Sequence, residues 1–248
     1  MDLSNQTVLL MGGLHAVSLG VARAFHQAGA RLIIAYEPPL VEVEMPPARL
    51  CETTLADSHA LDETLADLTF HTVVISPGWF EHAPFMEATP ADIDAAFSRN
   101  LAEATFAAQA AARRMIAQGA GGVMLFLTSV AAQTPMVHTN LTGSSLAAVE
   151  VIAQMAAVDL APHGIRVNLV SAGWVEGAWS RPFIDAEGEM YNRSDIPAGH
   201  IGTPESVGEA CCFLASSQAR YITGARLPVD GGFLLTKSSA KTPYPPPF

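Results

Sequence analysis

The opening of the chain constrains the fold more than any other stretch. A short apolar run at residues 7–11 ends at Gly12-Gly13, and a helical pattern follows over residues 16–28. Apolar side chains recur there at three- and four-residue spacing, and Gly29 is typical of a helix C-terminus. A second apolar run, Arg31–Tyr36, is predicted to be a buried strand. This β-α-β order predicts a parallel sheet and is the usual start of a dinucleotide-binding half.

The remainder of the chain continues the alternation of strands and helices. Further strands are predicted near residues 47–52, 71–76, 121–128, 165–171 and 224–229, with helices near 58–68, 90–118, 140–160 and 204–215. Four prolines within residues 38–47 exclude a regular helix, so the connection after the second strand is predicted to be a loop. The pattern predicts a single doubly wound α/β domain over residues 1–235, with a mostly parallel sheet and helices on both faces.

Composition narrows the classes of function. Of 248 residues, 50% are hydrophobic and 15% are charged, which is typical of one well-packed domain. The net charge of −11 disfavours nucleic acids and anionic membranes as partners. We see no apolar run of the ~20 residues that a membrane span needs, and no signal-peptide pattern. Three cysteines and no metal-binding spacing lead us to expect a cytoplasmic protein with reduced thiols and no bound metal.

Three segments resemble one known family. Residues 129–149 (SVAAQTPMVHTNLTGSSLAAV) follow a buried strand, residues 161–173 read APHGIRVNLVSAG, and residues 229–233 read VDGGF. Together they resemble the short-chain dehydrogenase/reductase family over about residues 7–233. The resemblance implies a Rossmann-like fold and hydride transfer between a nicotinamide and a carbonyl carbon. In the family, a Ser, a Tyr thirteen residues later and a Lys four further on assist that transfer.

The resemblance implies an incomplete catalytic site. Ser129 stands in the Ser place, but the Tyr place is Thr142 and the Lys place is Leu146. An alcohol is a far weaker acid than a tuned phenol, and loss of general acid–base help costs about 10²–10⁴ in rate. Asn100 matches the mid-helix Asn that supports a proton-relay water in the family. Its alternative interpretation is a polar residue that bonds backbone at a helix distortion.

The cofactor loop also departs from the family pattern Thr-Gly-x-x-x-Gly-x-Gly. The corresponding residues read MGGLHAVS, so Gly12 is kept while Ala16 and Ser18 replace the later glycines. Of the Asn-Asn-Ala-Gly that follows the fourth strand, only Gly78 remains. Added side chains narrow the approach of a pyrophosphate to the backbone. Gly12, Gly13 and Gly78 are therefore predicted to be residual cofactor-binding residues, and we expect this chain to bind no cofactor.

Three functions remain open from the sequence. The first is a non-catalytic, pseudoenzyme subunit that assembles with an intact paralogue of the family in a hetero-oligomer, expected to be a tetramer, with NAD or NADP in the partner. The second is an enzyme of altered chemistry, similar to a dehalogenase, lyase or isomerase, that uses Ser129 with His138 as a candidate base. The third is a homo-oligomeric ligand-binding protein. Residues 177–200 are predicted to cover the site. The Pro-rich tail 236–248 is predicted to be polyproline-like or disordered by itself, with contact to a neighbouring subunit as an open alternative.

Overall fold

A computed structural model describes residues 1–39, 43–78, 80, 84–136, 138–177 and 196–236. Seven parallel strands form one sheet in the order β3-β2-β1-β4-β5-β6-β7. The strands are β1 Thr7–Gly12, β2 Arg31–Tyr36, β3 Arg49–Glu52, β4 Thr72–Ser76, β5 Gly122–Ser129, β6 Ile165–Ala172 and β7 Arg226–Val229. The helices are α1 Ala16–Gln27, α2 Ser58–Leu65, α3 Pro90–Ala96, α4 Glu103–Gln118, α5 Asn140–Leu160, α6 Pro204–Ala215 and α7 Phe233–Thr236. The doubly wound fold is confirmed, and every described strand pair is parallel.

The two faces of the sheet bury two separate hydrophobic clusters. Along β1, Leu9 and Met11 point to the face covered by α2, α4 and α5, whereas Val8 and Leu10 point to the face covered by α1 and α6. Successive strand residues alternate between faces, so a strand covered on both sides is apolar at most positions. This is why the strands were visible in the sequence as continuous apolar runs.

The connection between β2 and β3 contains no helix within its described residues, 37–39 and 43–48. The strands nevertheless pair in parallel, from Ile33 opposite Arg49 to Tyr36 opposite Glu52. The described part of this connection is therefore a loop, as the four prolines predicted.

The helix predicted over residues 90–118 contains a distortion. It starts as expected at Thr89, whose hydroxyl accepts from the backbone N–H of Asp92 at 3.3 Å, with Pro90 as the first helical residue. The turn Phe97–Ala102 between α3 and α4 is π-helical. Such turns are rare and often occur at functional sites.

Helices α1 and α6 touch backbone to backbone. A Cβ added at Gly20 would lie 2.3 Å from the Cβ of Pro204, and one added at Gly208 would lie 2.5 Å from the Cβ of Ala24. Arg23 and Glu205 form an ion pair at 2.6 Å across the same contact. The position of α1 is therefore set closely by α6.

Segment 161–173, the most specific part of the family resemblance, connects β6 to the end of α6 and to the residues before β7. Arg166 donates to the carbonyl of Leu214 at the end of α6 (2.7 Å) and to that of Ile222 (3.2 Å). Asn168 donates to the same Ile222 carbonyl and accepts from the N–H of Ala225 at 3.0 Å. These side chains fasten β6 to the turn that leads into β7.

One segment of the described chain, Asn140–His163, is long and apolar enough to cross a membrane by length and composition, with a mean hydropathy of 1.4. This segment does not stand out in the sequence as a continuous apolar run, because Thr, Ser and Gly interrupt its apolar residues. In the fold, α5 packs against β5 and β6 and buries the polar side chains of Thr142, Ser145 and Glu150. A core helix can have this composition. A cytoplasmic location remains a prediction.

Two predicted segments fall largely outside the described residues. Of the cover over residues 177–200, only Gly177 and residues 196–200 are described, and of the tail only Thr236. The boundary at residue 235 between domain and tail therefore remains a prediction.

Candidate active site

The strand order reverses between β1 and β4, and their C-terminal ends form a crevice of the kind in which open α/β sheets bind ligands. Gly12 has φ +116°, and a Cβ there would lie 2.0 Å from the carbonyl oxygen of Ser76. A Cβ at Gly13 would lie 2.9 Å from the Cα of Gly78. The structure thus brings together Gly12, Gly13 and Gly78, the three residues predicted to contact a cofactor.

A cavity of about 450 Å³ lies on one side of this contact. We call it the polar cavity, because Tyr36, Glu37, Arg99 and Glu103 line it opposite the glycines. The carboxylate of Glu37 accepts from the backbone N–H of Leu55 at 2.8 Å. This hydrogen bond restrains the acidic side chain of Glu37, which follows β2 directly and lies in the wall of the polar cavity.

The two carboxyl groups of the polar cavity affect each other. Burial, followed by repulsion from Glu37, raises the pKa of Glu103 to about 7, although Arg99 acts in the opposite direction. Glu103 therefore changes its charge near neutral pH. The electrostatic potential of the polar cavity changes with it.

A second cavity of about 480 Å³ lies on the other side of the crevice. We call it the apolar cavity, because most of its wall is hydrophobic. Ser129, His15 and Glu176 contribute polar groups to it. Leu14, Ser76 and Pro77 line both cavities, so the two meet at the ends of β1 and β4. The hydrophobic lining consists of Leu14, Ala16, Val17, Leu19, Val43, Phe80, Leu127, Ala172 and Val175.

The side chain of His15 lies where the cavities meet. Its Nε2 is 2.9 Å from the Oγ of Ser76, its ring also hydrogen-bonds the backbone carbonyl of Pro77, and its edge contacts the ring of Phe80. Burial lowers the pKa of His15 to about 4, against the effect of the Pro77 bond. The imidazole is therefore neutral at physiological pH.

Ser18 stabilises the loop from which His15 projects. Its hydroxyl accepts from the backbone N–H of His15 at 2.9 Å and donates to the carbonyl of Gly13 at 2.7 Å. In the sequence, Ser18 was interpreted only as a lost glycine. Its spacing, three residues after the N-cap residue His15, was the available signal for a capping role.

Ser129 ends β5, and its Oγ accepts from the backbone N–H of Ala131 at 3.2 Å. His138 is exposed, has the unusual φ of +61°, and lines a different cavity of about 420 Å³. The two residues therefore face separate cavities. The structure does not support the hypothesis that they form a nucleophile and base pair.

Thr142 and Leu146 are packed inside the protein, with exposed fractions of 1% and 0%. Neither is among the residues that line the three cavities. From the positions where the family carries its Tyr and Lys, this chain therefore presents neither a phenol nor an ammonium group.

Asn100 is buried in the π-helical turn, and its Nδ2 donates to the Oγ of Ser145 at 2.9 Å. It lies at a helix distortion, as the second interpretation of this residue predicted. The bond described here joins it to a side chain of α5 rather than to backbone. Roles for Asn100 and Ser129 in catalysis remain predictions.

A buried carboxylate that the sequence analysis did not single out supports the end of β5. The side chain of Glu150 is 1% exposed, accepts from the hydroxyl of Thr128 at 2.9 Å and forms an ion pair with Arg226 on β7. Burial raises the pKa of Glu150, while these partners oppose the rise. Glu150 follows Leu146 by four residues and Thr142 by eight, so helical spacing places all three on one face of α5.

No group of three or more His, Cys, Asp or Glu side chains within the described ranges could hold a metal ion. The absence of a metal in the native protein remains a prediction.

Comparisons with known proteins identify the family. A family model described as enoyl-(acyl carrier protein) reductase matches residues 13–234. This chain belongs to the short-chain dehydrogenase/reductase family. It is 31% identical to an L-xylulose reductase of Bos taurus over 245 residues, which cover 94% of this chain and 98% of that one. It is 30% identical to a sorbitol dehydrogenase of Cereibacter sphaeroides over 253 residues, which cover 94% and 98%.

A solved structure shows the same fold with a cofactor bound. The gluconate 5-dehydrogenase of Burkholderia cenocepacia, in complex with NADP and tartrate, has a TM-score of 0.83 to this chain. It is 25% identical, and the match covers 94% of this chain and 97% of that one.

These findings correct two predictions made from the sequence. The prediction of a non-catalytic subunit is wrong, because relatives matched over nearly their whole length are reductases and dehydrogenases. The prediction that the chain binds no cofactor is also wrong, because structural relatives hold NADP in the same single-chain fold. Both predictions gave too much weight to the replacement of two family glycines by Ala16 and Ser18. Gly13 and Gly78 approach each other closely, and the loop is stabilised by a hydrogen bond from the N–H of His15 to the hydroxyl of Ser18.

Proposed function

We propose that this short-chain dehydrogenase/reductase is a nicotinamide-dependent oxidoreductase that interconverts a hydroxyl and a carbonyl group on a small polyhydroxylated compound, such as a sugar, a polyol or a sugar acid. The observation that carries the proposal is the pair of cavities that meet where the strand order reverses. A polar and an apolar compartment of this size, with Leu14, Ser76 and Pro77 in the walls of both, suit the two ends of a nicotinamide dinucleotide.

The residues present fit such a cofactor. The backbone of Gly12 and Gly13 allows close approach, and a Cβ at either position would meet β4 or the loop after it. The carboxylate of Glu37 can accept hydrogen bonds from ribose hydroxyls at the polar end, while Val17 and Val175 offer apolar contacts at the other end. When bound, the nicotinamide would supply or accept the hydride.

Within this proposal, Ser129 binds the reacting oxygen of the substrate. Its Oγ faces the apolar cavity from the end of β5, and the bond from the N–H of Ala131 restricts its orientation. The bond between Thr128 and Glu150 stabilises the strand end behind it. Because Thr142 and Leu146 are packed away, the proton of the substrate oxygen is exchanged through the hydroxyl of Ser129 and solvent in this proposal, rather than through groups at those two positions. Slow turnover is therefore expected, since a tuned acid contributes about 10²–10⁴ in rate.

The test combines cofactor binding with turnover. NADH and NADPH are titrated by fluorescence, and NAD- and NADP-dependent oxidation is then measured on xylitol, sorbitol, gluconate and rhamnose. We expect dinucleotide binding, slow oxidation of at least one compound, and a loss of about 10²-fold in kcat/KM for Ser129→Ala at unchanged cofactor affinity.

Ser144→Ala is the matched control, because Ser144 is an exposed serine on α5. It should leave kcat/KM unchanged. The proposal fails if neither dinucleotide binds at millimolar concentration, or if Ser129→Ala retains the full activity of the wild type.

We also propose that the chain assembles into an oligomer, with another chain of the family as the expected partner and a tetramer as the expected size. Val151, Met155 and Val158 support an interface on α5, since their exposed fractions are 52%, 61% and 72%. Native mass spectrometry of the same preparation tests this, and a monomer would contradict it.

A further inference from the structure

The polar and apolar cavities have three lining residues in common, Leu14, Ser76 and Pro77. The ring of His15 lines the apolar cavity and bonds two of these three, the hydroxyl of Ser76 at 2.9 Å and the carbonyl of Pro77. A ligand that occupies both cavities would cross at these shared residues, and we call that crossing the passage.

The backbone around the passage has little freedom to widen it. Gly13 and Gly78 are in contact, and Ser18 bonds both the N–H of His15 and the carbonyl of Gly13. Helix α1 is held against α6 through Gly20 and Pro204. Room in the passage would therefore come from a side chain, and the ring of His15 is bonded to two of the residues that form it.

We propose that the His15 side chain is a displaceable partition between the polar and apolar cavities. A dinucleotide binds across both cavities only after the ring leaves Ser76 and Pro77. A nucleoside alone occupies the polar cavity with the ring in place. This inference rests on the proposed function, because it takes a nicotinamide dinucleotide to be the ligand that spans the two cavities.

Displacement of the ring lowers the affinity for the longer ligand alone. The ring gives up two hydrogen bonds and its edge contact with Phe80 before the passage opens. Net contributions of single hydrogen bonds correspond to a few-fold change in an equilibrium constant each, so the combined effect on dinucleotide affinity is about 10-fold. A nucleoside that stays in the polar cavity does not incur this loss.

The experiment compares two probes on matched variants. Dissociation constants of adenosine and of NADH are measured by isothermal titration calorimetry for the wild type, His15→Ala and His26→Ala. His26 is an exposed histidine on the same helix and serves as the control. We expect His15→Ala to bind NADH about 10-fold more tightly, adenosine to bind all three proteins within about 2-fold, and His26→Ala to match the wild type.

A second variant guards against misfolding. His15→Ser removes the ring but keeps a residue suited to start α1, so it should reproduce the gain in NADH affinity even if His15→Ala unfolds. Unchanged adenosine affinity in either variant shows that the polar cavity is intact.

Several results would contradict the proposal that the ring of His15 separates the two cavities. Weaker NADH binding in both His15 variants would mean that the ring is a ligand of the dinucleotide. Unchanged NADH affinity, or an equal gain for adenosine and NADH, would show that the ring does not separate the cavities. In each of these cases NADH still binds, so the proposed function survives. Failure of all the proteins to bind NADH would remove the proposed function and this inference together.

Discussion

The polar and apolar cavities share a wall but differ in the chemistry that lines them. Glu37, Arg99 and Glu103 give the polar cavity three ionisable groups, and one of them titrates near neutral pH. The apolar cavity presents a hydrophobic surface with the hydroxyl of Ser129 at one side. The polar cavity keeps groups suited to bind a sugar and a phosphate. The apolar cavity lacks the Lys of the family, because Leu146 stands in its place. The two halves of the site have therefore diverged to different extents.

Packing explains how the apolar side has lost its charge. Leu146 is completely buried on α5, beside Thr142 and on the same face as Glu150. A hydrophobic side chain there fills space in the core instead of reaching the cavity. The predictions below test this difference between the two sides, beginning with the largest expected effect.

Leu146→Lys should reduce the free energy of unfolding by about 3–5 kcal/mol, because an ammonium group would be buried beside a carboxylate, Glu150, that is already paired with Arg226. Leu146→Met, which conserves volume, should cost less than about 1.5 kcal/mol. Urea unfolding followed by circular dichroism measures both. A Lys variant as stable as the Met variant would show that position 146 reaches solvent or a cavity, and the contrast between the two sides would then be wrong.

The ring of His15 should make the protein less stable in acid. Its pKa is about 4 in the fold and about 6.5 when unfolded, so the unfolded state takes up the proton first as pH falls. The stability that depends on the neutral ring is present above pH 6.5 and is lost as pH falls toward 4. Because the residue is partly exposed, we expect a loss of about 2 kcal/mol between pH 7 and pH 4.5.

Urea unfolding at the two pH values, with the wild type and His15→Ser compared, isolates this loss. The variant should lack it. An identical pH dependence in both proteins would mean that water reaches the wall between the cavities and keeps the imidazole solvated.

Glu103 should show the opposite pH dependence, with a smaller effect. Its pKa is raised to about 7 in the fold, so its contribution to stability is complete below pH 4.5 and is lost as pH rises through 7. Glu103→Gln should therefore stabilise the protein by about 1 kcal/mol at pH 8, and by much less at pH 5, after allowance for partial exposure. Thermal unfolding at both pH values measures the gain. Glu209→Gln, at an exposed glutamate on α6, is the control, and an equal gain there would point to net charge instead of the polar cavity.

Much of the fold could be predicted because its signals are local. The bounds of α5 and the first residues of α3 and α6 agree with the sequence analysis, since caps, prolines and apolar spacing act over a few residues. The β2–β3 loop was likewise predictable from its prolines. A helix distortion at Asn100 was one of two interpretations, but its π-helical form was not predictable, because no residue type specifies it.

The site was less predictable because its contacts join distant parts of the chain. His15 meets Ser76 from 61 residues away, and neither the direction nor the burial of its ring follows from the sequence around it. Glu150 meets Arg226 across an even longer separation, from α5 to the last strand. The losses at Thr142 and Leu146 could be read directly from the sequence. Their consequence for function was overestimated, because the loss of two side chains was taken to outweigh a resemblance that extends over residues 7–233.

The ion pair between Arg226 and Glu150 joins the edge strand β7 to the buried face of helix α5. Strand β7 is four residues long and forms one border of the sheet, yet its first residue holds the carboxylate that in turn holds Thr128. Ser129 is the next residue along β5. Fraying of this border strand would therefore be transmitted through one carboxylate to the strand end that carries Ser129, the residue that we propose binds the substrate oxygen.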